Sequence, residues 1–173
     1  RKIDKGQMSL MFKKAEIVSF TRDLLESFEQ QTRVKKLDLK FHTSAPEIEM
    51  WIDPKNFDKI ILNLLSNACK FTPENGQVEI SLSTGEDTHL PQNAPLRRYV
   101  ELTVADSGIG IASTEREHIF ERFYQIRNSQ NNSNIGTGIG LHLTRSLVEL
   151  HYGNIHVEDN GEGRPGSVSY THL

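Results

Sequence analysis

Residues 57–72, Phe-Asp-Lys-Ile-Ile-Leu-Asn-Leu-Leu-Ser-Asn-Ala-Cys-Lys-Phe-Thr, constrain this chain more than any other stretch. Phe57, Ile60, Ile61, Leu64, Leu65 and Ala68 recur every three or four residues, the period of a helix with one buried face. Such a helix needs an apolar surface to lie on, so it predicts a core with this segment at its centre. Asn63, Asn67 and Lys70 recur at the same interval on another face, and their side chains project together from about two turns. Two readings fit that second stripe: a solvated helix face, or a cluster of oxygen ligands and a cation.

Two glycine-rich segments lie downstream. Asp106-Ser-Gly-Ile-Gly110 follows a strand-like run, and Gly136-Thr-Gly-Ile-Gly-Leu141 opens a helix-like run, with Ile119-Phe-Glu-Arg-Phe-Tyr124 between them. Either glycine segment alone is a common turn signal. Taken in order after an Asn-bearing helix, the four segments resemble the N, G1, F and G2 boxes of the sensor histidine kinase ATP-binding domain. The resemblance covers about residues 37–171.

At 173 residues the chain has the length of one domain with a single sizeable core. Its net charge of −3, from 20 basic and 23 acidic residues with no dense Lys/Arg run, argues against nucleic acid as a partner. Cys69 is the single cysteine and has no internal disulfide partner, which places the chain in a reducing compartment, the cytoplasm. No apolar run reaches the roughly 18 residues of a membrane span, and no signal-peptide pattern opens the chain, so no direct membrane contact is expected.

Taken in order, residues 1–10 carry no apolar period. Ile17, Phe20, Leu24 and Phe28 predict an amphipathic helix from about Lys14 to about Gln31. Leu37, Leu39 and Phe41 alternate with polar residues as a strand, and residues 50–52 predict a second, short one. Asp53-Pro54 supplies a cap and a first helical residue for the central helix. Residues 72–76 end it, and Val78, Ile80 and Leu82 alternate as a third strand. Residues 84–98 read as a long hairpin loop, and residues 99–105 as the strand that delivers Asp106 to its glycine turn. A short helix follows Ser113. Residues 125–135, nearly without apolar anchors, read as a lid. A helix after Gly140 stops near residues 151–153, Ile155 and Val157 alternate, and residues 167–171 form a last strand.

These elements predict an α+β fold, a two-layer α/β sandwich with helices on one face of a mixed sheet. The resemblance sharpens this to the Bergerat ATP-binding fold. It divides the chain into a connecting helix at 1–31, following a dimerisation and phosphoacceptor domain, and a catalytic domain at 32–173.

For the site, a carboxylate accepts from the exocyclic amine of adenine but not from the oxo group of guanine, so Asp106 in its resembling role selects ATP over GTP. The alternative for Asp106 is an Asx-turn that closes the glycine loop. The resemblance makes Asn67 the Mg2+ ligand, with Asn63 facing the same ion or its water shell. Lys70 and the backbone amides of Gly136, Gly138 and Gly140 would offset phosphate charge. Gly108 and Gly110 bring backbone close to the nucleotide, Thr137 and Leu141 complete the second glycine box, and Phe120 and Phe123 pack the lid or merely the core. Relatives carry an arginine after the Phe-Tyr pair where this chain has Gln125, and Arg122 or Arg127 is left to contact the terminal phosphate.

None of the seven histidines, His42, His89, His118, His142, His151, His156 and His172, sits in the phosphoacceptor pattern of the resembling family. The resemblance therefore implies a kinase half that transfers the γ-phosphoryl group of Mg·ATP to a histidine on a dimerisation domain. A response-regulator receiver domain is the next partner in that phosphorelay. The resemblance implies a full-length homodimer anchored in the inner membrane, and leaves open a hybrid sensor in which a receiver follows in the same chain. Two other readings stay open: a superfamily ATPase that drives a conformational clamp, and a nucleotide-binding module without chemistry.

Overall fold

The computed structural model describes residues 9–93, 98–108, 110–111, 113–116, 118–121, 140–159 and 167–172. The elements run β1 (Lys13–Glu16), α1 (Ile17–Val34), β2 (Asp38–Thr43), β3 (Glu49–Ile52), α2 (Pro54–Phe71), β4 (Gln77–Glu86), β5 (Arg98–Asp106), α3 (Ser113–Arg116), α4 (Gly140–Leu150), β6 (Asn154–Asp159) and β7 (Ser167–His172). Five strands make one mixed sheet in the order β2-β4-β5-β7-β6, with β2 and β4 parallel and the other pairs antiparallel. The parallel pair requires a crossover, and the β3–α2 segment supplies it.

Val78, Ile80 and Leu82 of β4 and Leu102 and Val104 of β5 are buried, while Glu79 is exposed and Ser81 and Thr103 are half-buried. One face of the sheet therefore meets α1, α2 and α4, and the other is polar. This is the α+β sandwich expected from the sequence. Phe57, Ile60, Ile61 and Leu65 are fully buried beneath α2, and each such side chain contributes about 1.5–3 kcal/mol relative to exposure. Ile17, Val18, Leu25 and Phe28 of α1 belong to the same core.

The first helix starts later than its spacing predicts. Lys13–Glu16 is a strand, paired antiparallel with β3 in a separate two-stranded sheet, and Ile17 N–H continues that pairing by donating to Ile48 O at 2.9 Å. Glu16 caps α1 and ties it to the chain before β3. Its carboxylate accepts from Val18 N at 2.8 Å, Ser19 N at 2.9 Å and Ile48 N at 2.9 Å. Burial pushes this carboxyl up, but the N–H groups of Ile48, Ser19 and Val18 and the Ser19 hydroxyl outweigh it and hold the pKa at about 2.

The helix also runs one turn past Gln31 and closes with two reversed bonds, Lys36 N to Arg33 O at 3.1 Å and Leu37 N to Thr32 O at 2.8 Å. That closure places Lys36 at φ 55°, the left-handed region that favours glycine. Lys36→Gly is expected to raise unfolding stability by roughly 0.5–1 kcal/mol, since it relieves that backbone and forfeits only an exposed pair with Glu74. Urea denaturation of the two chains checks the sign.

His151, just beyond α4, is 5% exposed and fully committed. Its Nδ1 lies 2.7 Å from Leu147 O, an acceptor only, so Nδ1 carries the proton and donates, while Nε2 accepts from Asp53 N at 3.2 Å. Phe12 and Phe57 flank the ring at 5.5 and 5.9 Å between centroids. Burial pushes its pKa down, against the Leu147 carbonyl and the Asp53 carboxylate, which raise it. The unfolded imidazole therefore takes its proton first as pH falls, and the fold loses stability below about pH 6.5. Chemical denaturation is expected to show wild type losing more stability between pH 7.5 and 5.5 than His151→Gln. The Glu16 contribution is lost at lower pH, from about 4.5 toward about 2.

Candidate nucleotide site

The central helix turns its apolar stripe to the sheet and leaves Asn63, Asn67 and Lys70 half-buried on another face. Asn63 Nδ2 donates to Thr144 Oγ1 at 3.2 Å and reaches Gly140 O at 3.5 Å, while Thr144 Oγ1 donates to the same carbonyl at 2.7 Å. A carbonyl only accepts, so the amide nitrogen of Asn63 must face α4. The bond fixes α2 against the first turn of α4 and leaves Oδ1 as the acceptor of that side chain. Among the described residues the Asn67 carboxamide makes no hydrogen bond and Lys70 Nζ forms no ion pair. Burial pushes the Lys70 ammonium pKa down, a condition that a nearby anion relieves.

Asp106, 4% exposed, ends β5 opposite Val78. Its Oδ1 accepts from Gly108 N at 2.9 Å, so the Asx-turn is present. That bond uses part of the carboxylate's acceptor capacity, and the turn and a recognition role are compatible. Ser107 clamps the turn to the start of β4, donating N–H to Gln77 O at 3.0 Å and accepting Gln77 N–H on Oγ at 2.8 Å. Packing dictates glycine at 108: a Cβ there would lie 2.4 Å from Phe71 O and 2.8 Å from Asp106 Oδ1. Gly110 sits at φ 77°. The end of α2 thus lies directly under the Asp106 turn, with Cys69 buried beside both.

Among the described residues, no atom lies within 4 Å of where a Cβ at Gly140 would stand. Leu141 is half-buried against the core. Phe120 is 6% exposed, with the Arg145 guanidinium 5.9 Å from its ring centroid. Phe123, Gly136, Thr137, Gly138, the lid at 125–135, Gln125, Arg122 and Arg127 lie outside the described residues. Of the candidate residues, the fold gathers Asn63 with Gly140, and Asp106 with Gly108 and the last turn of α2. The spacing argument missed Thr144 and Ser107. Thr144, wholly buried in the stripe of α4 that holds Leu147 and Val148, carries a legible signal: a hydroxyl among apolar residues.

Residues 52–171 match the family described as histidine kinase-, DNA gyrase B-, and HSP90-like ATPase. The chain belongs to this ATPase family. Within it, the likeness is to histidine kinase catalytic domains. Sensor histidine kinase TmoS of Ectopseudomonas mendocina is 37% identical over 158 residues, covering 91% of this chain and 15% of TmoS. The catalytic domain of histidine kinase ThkA superposes with a TM-score of 0.77 at 25% identity, covering 95% of each chain. ThkA in complex with response regulator protein TrrA matches at 0.72 and 24% identity, over 94% of this chain and 41% of that one. Full-length ShkA in complex with AMPPNP matches at 0.78 and 25% identity, over 99% of this chain and 32% of that one. The chain spans less than a third of the curated relatives it matches, among them 15%, 12% and 28% of three.

ATP is the nucleotide of this ATPase family. The described geometry sets a buried carboxylate on a glycine turn at one end of α2, and two carboxamides and an ammonium along the helix face. No described helix is long and apolar enough to cross a membrane.

Proposed function

We propose that this chain is the catalytic domain of a two-component sensor histidine kinase, binding Mg·ATP and presenting its γ-phosphoryl group to a histidine on a dimerisation domain. The observation that carries the reading is the meeting of the last turn of α2, which bears Lys70, with the buried Asp106–Gly108 turn. Asp106 accepts from the adenine amine. Lys70 and the backbone at Gly140 offset phosphate charge, and Gly136 and Gly138 belong to the same glycine box. The Asn67 carboxamide, unbonded among the described residues, suits a hard divalent cation, with Asn63 Oδ1 at the same face. Bound Mg2+ would supply neutralisation of phosphate charge.

In the transfer, the bond from the γ-phosphorus to the bridging oxygen of ADP breaks and a bond to the acceptor imidazole nitrogen forms. Positioning and charge neutralisation are what this chain contributes. Asn63 stands four residues before Asn67, where a hydrolysing member of the superfamily carries a glutamate. A carboxamide does not take a proton near neutral pH, so no base is supplied there to activate water. Nor does His151 serve as acceptor, since both its nitrogens are bonded in the core. A response-regulator receiver, a homodimeric full-length protein and an inner-membrane anchor complete the proposal, with residues 1–31 as the connection to the dimerisation domain.

The test is to supply purified chain with Mg·ATP, alone and with a dimerisation domain in trans. Binding without steady turnover is expected from the chain alone, and acid-labile phosphohistidine from the mixture. Steady hydrolysis that Asn67→Ala abolishes would favour a clamp ATPase, and binding without chemistry in either sample would favour a module that only holds nucleotide.

A further inference from the structure

The last carbonyls of α2 have no partners within the helix. Ala68 O accepts from Thr72 N at 3.1 Å and Thr72 Oγ1 at 2.6 Å. Phe71 O lies against Gly108, with no room for a methyl group between them. Cys69 O and Lys70 O both accept from one ammonium, Lys35 Nζ, at 2.7 and 3.1 Å. Lys35 is the C-cap residue of α1, 34 residues away in sequence from Cys69, and its side chain reaches across to the partial negative charge at the end of α2. The backbone that launches it is held by the two reversed bonds that follow, from Lys36 and Leu37.

We propose that Lys35 is a positioning residue for adenine recognition, holding the last turn of α2 as the floor on which the Asp106–Gly108 turn rests. The contacts are consecutive: Lys35 to the carbonyls of Cys69 and Lys70, the next residue, Phe71, to Gly108, and Gly108 N to Asp106 Oδ1 at 2.9 Å. Burial pushes the Cys69 thiol pKa up, with Lys35 lowering it and Asp106 raising it. An ammonium suits the task because it is a point charge with three donors, enough for two carbonyls at once. Without it the two carbonyls lose charge-assisted bonds, the turn loosens, and the floor under Gly108 moves. Asn63 and Asn67 lie upstream of that floor, and whatever phosphate contact Lys70 loses with the turn falls equally on ATP and GTP, so the ratio of the two affinities reports the base.

This inference rests on the ATP-binding reading, and its test separates the two. Wild type, Lys35→Met, Lys35→Arg and the exposed control Arg33→Met are titrated with Mg·ATP and Mg·GTP by calorimetry, well below the unfolding temperature of every variant. Lys35→Met is expected to weaken ATP binding roughly tenfold and to reduce the ATP-to-GTP preference by a similar factor, with Lys35→Arg recovering most of both. Hydrogen exchange at the Gly108 amide is expected to rise in Lys35→Met without nucleotide. A selective wild type whose Lys35→Met variant keeps the same affinity ratio and only melts earlier overturns the role of Lys35 and leaves the ATP reading standing. A wild type that binds ATP and GTP equally overturns the adenine reading, and the role of Lys35 with it.

Discussion

Asp106→Asn is expected to weaken ATP binding by roughly 30- to 150-fold while leaving the chain folded. The substitution preserves volume in a position that is 4% exposed. It also preserves the turn, because a carboxamide oxygen still accepts the Gly108 N–H that Asp106 Oδ1 now holds at 2.9 Å. What changes is the character of the other atom, from acceptor to donor. Facing the exocyclic amine of adenine, two donors oppose each other, and a buried charge-assisted bond is replaced by an unpaired group, at a cost of about 2–3 kcal/mol. GTP binding, which gains nothing from the carboxylate, is expected to change much less. Calorimetric titration with both nucleotides checks this, and circular dichroism confirms the fold. An Asp106→Asn chain that binds ATP like wild type would mean that the carboxylate only closes the turn.

Gly108→Ala is expected to damage both stability and binding. The added Cβ would stand 2.4 Å from Phe71 O, 2.8 Å from Asp106 Oδ1 and 3.0 Å from Phe71 C. Two of those atoms are backbone in the last turn of α2, which the bonds from Thr72 and Lys35 hold in place. No flexible side chain is available to swing aside, so the glycine turn must move off the helix and carry Asp106 with it. A strained shift of a packed backbone costs about 1–3 kcal/mol, and the same displacement misaligns the carboxylate to which we assign recognition of the base. Thermal unfolding together with ATP titration measures the two losses. A Gly108→Ala chain with wild-type midpoint and affinity would show that the turn is not seated on α2.

Much of this was legible in the residues themselves. The apolar period of residues 57–72 specified both the helix and the side that faces the sheet, because one buried stripe every three or four residues has no other regular solution. Asp53 and Pro54 marked its start, and the alternation of Val78, Ile80 and Leu82 marked a strand with one wet face. The motif resemblance pointed to the family that residues 52–171 match, since boxes in a fixed order carry information that single turns lack. Other features depend on contacts between residues distant in sequence. Lys13–Glu16 has no apolar alternation, and it is a strand only because β3 lies alongside it, which also delays the start of α1 to Ile17. Asn63 was legible as a polar residue on a helix face, yet its amide is directed by Thr144, 81 residues on. Lys35 reads as an ordinary charge at a helix end. Its function as the cap of another helix exists only once α1 and α2 lie side by side, because a helix terminus takes whichever donor the tertiary structure brings to it.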